Sequence, residues 1–358
     1  MSTTVLTERT LMTWMDAVRG TAIVLLLIWH ASAVPELYGV EMPEIIRSAN
    51  AFFLPFRMPT LMLLSGMLLE RSLRKPLPRY LAGKASMVVW PYLVWVVIAK
   101  LTFLEQAGLP WWHWRAWYAT SYLWFLFFIA VYYAAAPLLR RLPIWATVGL
   151  AALGAILLDA GSMEQRMAYF AVFFFGGAWL ACNPALLDRA SRPRVLVLLG
   201  LPAIAFGGAS VLLPDALHHL LWGAPLSVAG SLALIGLFSA ARRHGVVRRS
   251  VEFLGRSSIV FYVSHFPVMA LLSQSPLADG GALLLAVSNI VAAVLVGVAL
   301  SVGKSHAPVA WLFRAPRPLT DALAGSLSSL SGAARRRLSD SGQPTDSRAA
   351  ERQSVTSE

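Results

Sequence analysis

The stretch MDAVRGTAIVLLLIWH, residues 15–30, sets Asp16, Arg19 and His30 in a run otherwise apolar enough to enter a bilayer. An ionisable group in hydrocarbon costs about 2.5–3.5 kcal/mol on insertion scales, so three of them ask for a reason. Arg19 and His30 are eleven positions apart. On an α-helix that separation returns to within about 20° of the starting direction and spans about 16 Å. Both side chains therefore share one helix face, one near each end of a span. Asp16 precedes Arg19 by three residues, close enough on a helix to pair with it. A neutral imidazole is far cheaper to bury than a charge and can still accept a proton, which suits His30 to general-base work. The competing reading is structural: Asp16 and Arg19 snorkel to the interface while His30 bonds a backbone carbonyl inside a bundle. The sequence leaves both open.

Other polar groups recur at similar depth. FRMPTLMLLSG (56–66) carries Arg57 within an apolar run, and SYLWFLFFIAVYY (121–133) carries Trp124. FLGRSSIVFYVSHFPVM (253–269) has Arg256 at one end and His265 near its middle, with Tyr262 one turn earlier. Each alone reads as packing or bundle polarity; together they furnish a polar interior. EQAGLPWWHWRAWYATSY (105–122) is dense in aromatics, as an interfacial belt or a sugar-stacking platform would be. The single cysteine, Cys182, excludes an intramolecular disulfide and a cysteine-rich metal site.

The elements that must position these residues are membrane helices. The chain is 57% hydrophobic and 13% charged, with a mean hydropathy of +0.63, whereas soluble domains are about 25% charged. An all-α polytopic bundle of about ten spans is expected, near 13–34, 50–69, 85–104, 121–139, 143–160, 166–182, 195–213, 219–240, 253–273 and 282–303. Connectors such as ERSLRKPLPRYLAGK (70–84), RRLP (140–143), DRASRPR (188–194) and ARRHGVVRR (241–249) are basic. Those between them are nearly devoid of Lys and Arg, so the positive-inside bias places both termini in the cytoplasm. The net charge of +12 resides in these short connectors, which argues against nucleic acid as a partner. No internal repeat supports an inverted-repeat transporter. Ala31-Ser32-Ala33 has the small-x-small form of a cleavage site, but Asp16 and little net positive charge precede the apolar run, so removal is not expected. A membrane domain over 1–313 is followed by a Ser-rich, basic cytoplasmic tail over 314–358, read as disordered. Within it, 319–338 has the pattern of a short amphipathic helix, with Arg335, Arg336 and Arg337 suited to anionic lipid.

Taken in order, MDAVRGTAIVLLLIWHA, FRMPTLMLLSGMLL, LWFLFFIAVYY and FLGRSSIVFYVSHFPV resemble the acyltransferase 3 family, bacterial integral-membrane O-acyltransferases, over about residues 11–305. The most specific element is an arginine and a histidine separated by ten residues in the first span, matched by Arg19 and His30. The resemblance implies a cytoplasmic acyl-CoA donor, usually acetyl-CoA, no metal, and a hydroxyl acceptor on an envelope glycan or lipid-linked sugar. It implies location in the bacterial inner membrane and allows an envelope-biosynthesis partner protein. It makes His30 the catalytic candidate, supported by Arg19 and its neighbour Asp16, and associates basic residues before the third span with the CoA phosphates. Here those are Arg71, Arg74, Arg79 and Lys84, although ASMVV (85–89) stands where the family often has another arginine. Arg57 occupies a position at which many relatives carry histidine. With Trp124, Tyr262 and His265 it makes up the expected substrate pocket. The alternative from another class is a transporter or flippase of a glycan or lipid precursor, which moves its substrate without acyl transfer.

Overall fold

The computed structural model describes the backbone of residues 2–103, 109–213, 219–240 and 245–341, and side chains from 13 to 330 within those ranges. Among the described residues every regular element is helical. The chain runs through α1 (Ser2–Leu37), α2 (Glu44–Gly66), the short α3 (Leu69–Leu73) and α4 (Leu77–Lys84). A π-helical turn, Ala85–Val89, joins α4 to α5 (Trp90–Thr102). Then come α6 (Trp124–Leu139), α7 (Ile144–Leu157), α8 (Met163–Ala181), α9 (Pro184–Ala190), α10 (Pro193–Leu212) and α11 (Ala224–Ala240). The chain continues with α12 (Val246–Arg256), α13 (Ser258–Ser273), α14 (Ala282–Gly303), α15 (Ala307–Ala310) and α16 (Arg317–Ser341). Ala31–Ala33 lies inside α1, with Ala31 buried.

Among the described residues, seven helical segments are long and apolar enough to cross a membrane, and eight if the bent pair α8–α9 counts as one. Two expected spans are short: the helix within 143–160 has 14 residues and the one within 253–273 has 16, against about 20 for a full crossing. The latter begins late because Ser257 (φ −105°, ψ 17°) leaves the helical region, so Arg256 ends α12 and is not part of α13. The span expected at 166–182 turns by 98° into α9. Pro184 drives the preceding Asn183 out of the α region, to φ −124°, ψ 63°.

At two helical prolines the released backbone carbonyl finds a side-chain partner, as a water-poor interior favours. Pro267 cannot bond the carbonyl of Val263, and the Tyr122 hydroxyl donates to it at 2.6 Å. Pro137 likewise releases the carbonyl of Tyr133, which accepts from the Tyr80 hydroxyl at 2.8 Å. These bonds tie the turn before α6 to α13, and α4 to α6. Close helix crossings use glycine. A Cβ on Gly20 would overlap the Val251 carbonyl, and one on Gly255 the Asp16 carbonyl, so α1 and α12 touch backbone to backbone.

Within the tail, the amphipathic helix expected over 319–338 is present over Arg317–Ser341 and packs against α4. Thr320, Ala324 and Leu327, half-buried, share one helix face, and Phe313 and Ala315 anchor the approach to it. The Trp90 and Trp95 indoles donate to the carbonyls of Trp311 (2.7 Å) and Leu312 (2.9 Å), and Ala315 N–H donates to Ser86 O in the π-turn. Residues 342–358, and the side chains of Arg335–Arg337, lie outside the described residues.

Candidate active site

A cavity of about 300 Å³ is walled by His30 and Trp29 from α1, Arg57 from α2, Trp124 from α6, Arg166 from α8 and Tyr262 from α13. Arg166 and Tyr169 occupy the first two turns of α8, Ser210 the last turn of α10, and Trp124 the start of α6. The cavity therefore lies toward one end of the bundle, opposite the basic connectors at 70–84, 140–143 and 188–194.

His30 is 6% exposed. Its Nδ1 lies 3.1 Å from the carbonyl oxygen of Leu26. A carbonyl only accepts, so Nδ1 carries the proton and Nε2 is the ring's acceptor. The structural reading of His30 in the sequence is thus met at one nitrogen, while the other is left able to act as a base. His265 packs against the His30 ring at 4.6 Å between centroids and is itself fully buried. Its Nδ1 donates to Phe261 O at 2.9 Å, and its Nε2 has no partner. Behind both rings, Tyr122 stacks on Phe266 at 4.7 Å, and the Tyr262 hydroxyl donates to the Tyr122 carbonyl.

The two cavity arginines have matching surroundings. The Arg57 guanidinium sits 4.8 Å from the Trp29 ring centroid and donates from Nη2 to Asn50 O at 3.3 Å. Asn50 in turn donates to Ser32 Oγ at 2.6 Å, joining α2 to α1 two residues from His30. Arg166 lies over Trp124 at 3.9 Å. Among the described residues, three non-glycine positions have positive φ, Ala119 (43°), Ser121 (46°) and His219 (54°), all in the turns at this end. Such strain persists only where surrounding contacts hold it: Ser121 adjoins the buried Tyr122, and the His219 carbonyl accepts from Gln165.

Of the residues singled out from the sequence, His30, Arg57, Trp124 and Tyr262 come together at the cavity, and His265 stands behind His30 without lining it. Asp16 and Arg19 pair at 3.7 Å but lie farther down α1, outside the cavity wall. Arg71, Arg74 and Arg79 are exposed near the opposite end; Lys84 is half-buried, 3.4 Å from the Tyr133 ring centroid and 3.1 Å from Ser72 Oγ. None of these four lines the cavity. In the aromatic segment Trp112 is 87% exposed, whereas Tyr122, grouped with it by composition, is buried in the cavity wall. Tyr118 donates to Glu164 at 2.8 Å; burial, then that carboxylate, push its phenol up to about 12.

Arg166, Tyr122 and His219 escaped the sequence reading. Arg166 opens the span expected at 166–182 and is not singled out within it. A lone arginine at a Lys/Arg-poor end was the available signal. Among the described residues, no group of three or more His, Cys, Asp or Glu side chains could hold a metal ion.

His265 is expected to position His30. His265→Ala should lower kcat for any reaction in which His30 serves as base by about 10–10²-fold with little change in KM. His265→Gln, which retains a donor for Phe261 O, should recover part of the rate. Equal rates for His265→Ala and wild type would remove it from this role.

A family model described as Acyltransferase domain matches residues 12–305. Neither a curated protein nor a solved structure matches the chain.

Proposed function

Because this chain belongs to the acyltransferase family, we propose that it is an integral-membrane O-acyltransferase, moving acetyl from cytoplasmic acetyl-CoA to a hydroxyl of a cell-envelope sugar in the bacterial inner membrane. The observation that carries this reading is His30, held by Leu26 as the Nδ1–H tautomer in the wall of a cavity. As general base, Nε2 takes the proton of the acceptor hydroxyl while its oxygen attacks the thioester carbonyl. Collapse of the tetrahedral intermediate expels the CoA thiolate, which recovers the proton. As acyl carrier, Nε2 instead attacks the thioester and expels the CoA thiolate, giving an acyl-imidazolium; the hydroxyl then takes the acyl group, releasing neutral His30, and its proton goes to the thiolate. Arg19, paired with Asp16 on the same helix, serves the donor side. Arg71, Arg74, Arg79 and Lys84 offer positive charge to the CoA phosphates.

Counting the bent pair and the two short apolar helices gives ten crossings with both termini cytoplasmic. The alternation of basic connectors supports that orientation. Cys182, the single cysteine, is exposed beside the bend. A membrane-impermeant maleimide should label it in inverted vesicles and not in intact spheroplasts; the reverse pattern would invert the topology.

The function is tested by giving inverted vesicles acetyl-CoA labelled in the acetyl group. Label should enter envelope glycan as an alkali-labile ester. A transporter or flippase would move glycan and leave the label on CoA.

A further inference from the structure

Arg57 and Arg166 face one cavity from different helices, α2 and α8. Arg57 is 3% exposed, and its Nη1 is fully buried with no hydrogen-bond partner. The Nε of Arg166 is likewise buried and unpartnered. No carboxylate answers them: the ion pairs among the described residues join Asp16 to Arg19, and Glu252 to Arg248 and Arg256. The cavity lining contains no Asp or Glu. Guanidinium stays charged in proteins, and leaving one buried and unpaired is strongly unfavourable. The indoles of Trp29 and Trp124 cover a face of each guanidinium. Stacking leaves the in-plane N–H groups to be satisfied by something that enters.

We propose that this cavity binds an anionic group, a carboxylate or a phosphate carried by the acceptor sugar, through Arg57 and Arg166. The fork geometry of arginine matches both oxyanions. The site belongs to the acceptor and not to the CoA phosphates because it lies at the end of the bundle away from the basic connectors. A volume of about 300 Å³, at the lower end of ligand sites, suits a sugar residue and not a long glycan segment. With the anion seated on the arginines, the remaining hydroxyls of that sugar lie in the same cavity as His30. The inference rests on the acyltransferase reading for calling the ligand an acceptor.

The test is calorimetric titration of the full chain in nanodiscs with glucuronate, glucose 1-phosphate and glucose, each with and without saturating CoA. The anionic sugar that matches should bind about 10–100-fold tighter than glucose, as hydrogen bonds to charged groups allow. Whether glucuronate or glucose 1-phosphate shows the preference identifies carboxylate or phosphate as the source. Arg57→Gln and Arg166→Gln should each erase the preference, and Arg57→Lys should retain part of it. Equal affinities, no binding by any of the three, a preference that survives both Gln variants, or competitive displacement by CoA would overturn the proposal. Anion preference without acetyl transfer in vesicles would instead count against the proposed function alone.

Discussion

Gly66→Val and Gly177→Val are each expected to cost about 3 kcal/mol or more, because the clash they create is with backbone. A Cβ on Gly66 would overlap the carbonyl oxygen of Phe174, and one on Gly177 that of Leu63. The two contacts are reciprocal, so α2 and α8 cross with their main chains touching. Overpacking usually costs about 1–3 kcal/mol when side chains can shift aside; here the helices themselves must separate. Arg57 and Arg166 ride on these same two helices, so separation also widens the cavity. Thermal unfolding in detergent should fall by about 5–10 °C for Gly66→Ala, and the valine variants should be recovered poorly as folded protein. Gly149 and Gly200 provide the contrast, since nothing lies within 4 Å of a Cβ there. Gly200→Ala should be neutral or gain up to about 1 kcal/mol from helix propensity. A Gly66→Ala protein melting with the wild type would refute the close crossing.

This crossing shows what hydropathy can and cannot convey. The apolar runs that became α1, α2, α10, α11 and α14 are legible because a bilayer demands long uninterrupted helices. The break at Ser257 is less so, because composition does not register one residue leaving the helical region, whereas the bend at Asn183 carries a local sign in Pro184. The tail carries two signals, a composition read as disordered and the pattern of an amphipathic helix over 319–338, and α16 covers the second. Its Ser- and Gly-rich composition lacks the apolar content of a core, yet anchors such as Phe313, with the Trp90 and Trp95 hydrogen bonds, hold α16 against α4. At the site, Arg57, Trp124 and Tyr262 stood out because polar or amphipathic groups in apolar runs are costly. Arg166 did not, because a periodicity of 3.6 residues fixes a face of one helix but not how neighbouring helices rotate to meet it. Arg19 shares a helix face with His30 as the spacing requires, but about 16 Å of rise leaves it outside the cavity.

His30→Ala is expected to lower acyl transfer by about 10²–10⁴-fold, the usual contribution of a positioned general base. Acetyl-CoA affinity should change little, because the basic residues assigned to the CoA phosphates lie near the other end of the bundle. The fold should tolerate the change: the imidazole contributes one hydrogen bond, to a Leu26 carbonyl. A drop confined to kcat would mark an interaction made in the transition state, whereas a rise in donor KM with kcat intact would mark uniform binding. His30→Gln retains much of the volume and a donor for Leu26 O but offers no imidazole, so it should be as inactive as His30→Ala.

The most direct measurement is single-turnover transfer from acetyl-labelled acetyl-CoA in inverted vesicles, comparing wild type with His30→Ala at matched levels of inserted protein. Wild-type vesicles should pass label to envelope glycan, and His30→Ala vesicles should do so at least about 10²-fold more slowly. Equal rates in the two would contradict the assignment of His30 to the chemistry, whatever else the cavity binds.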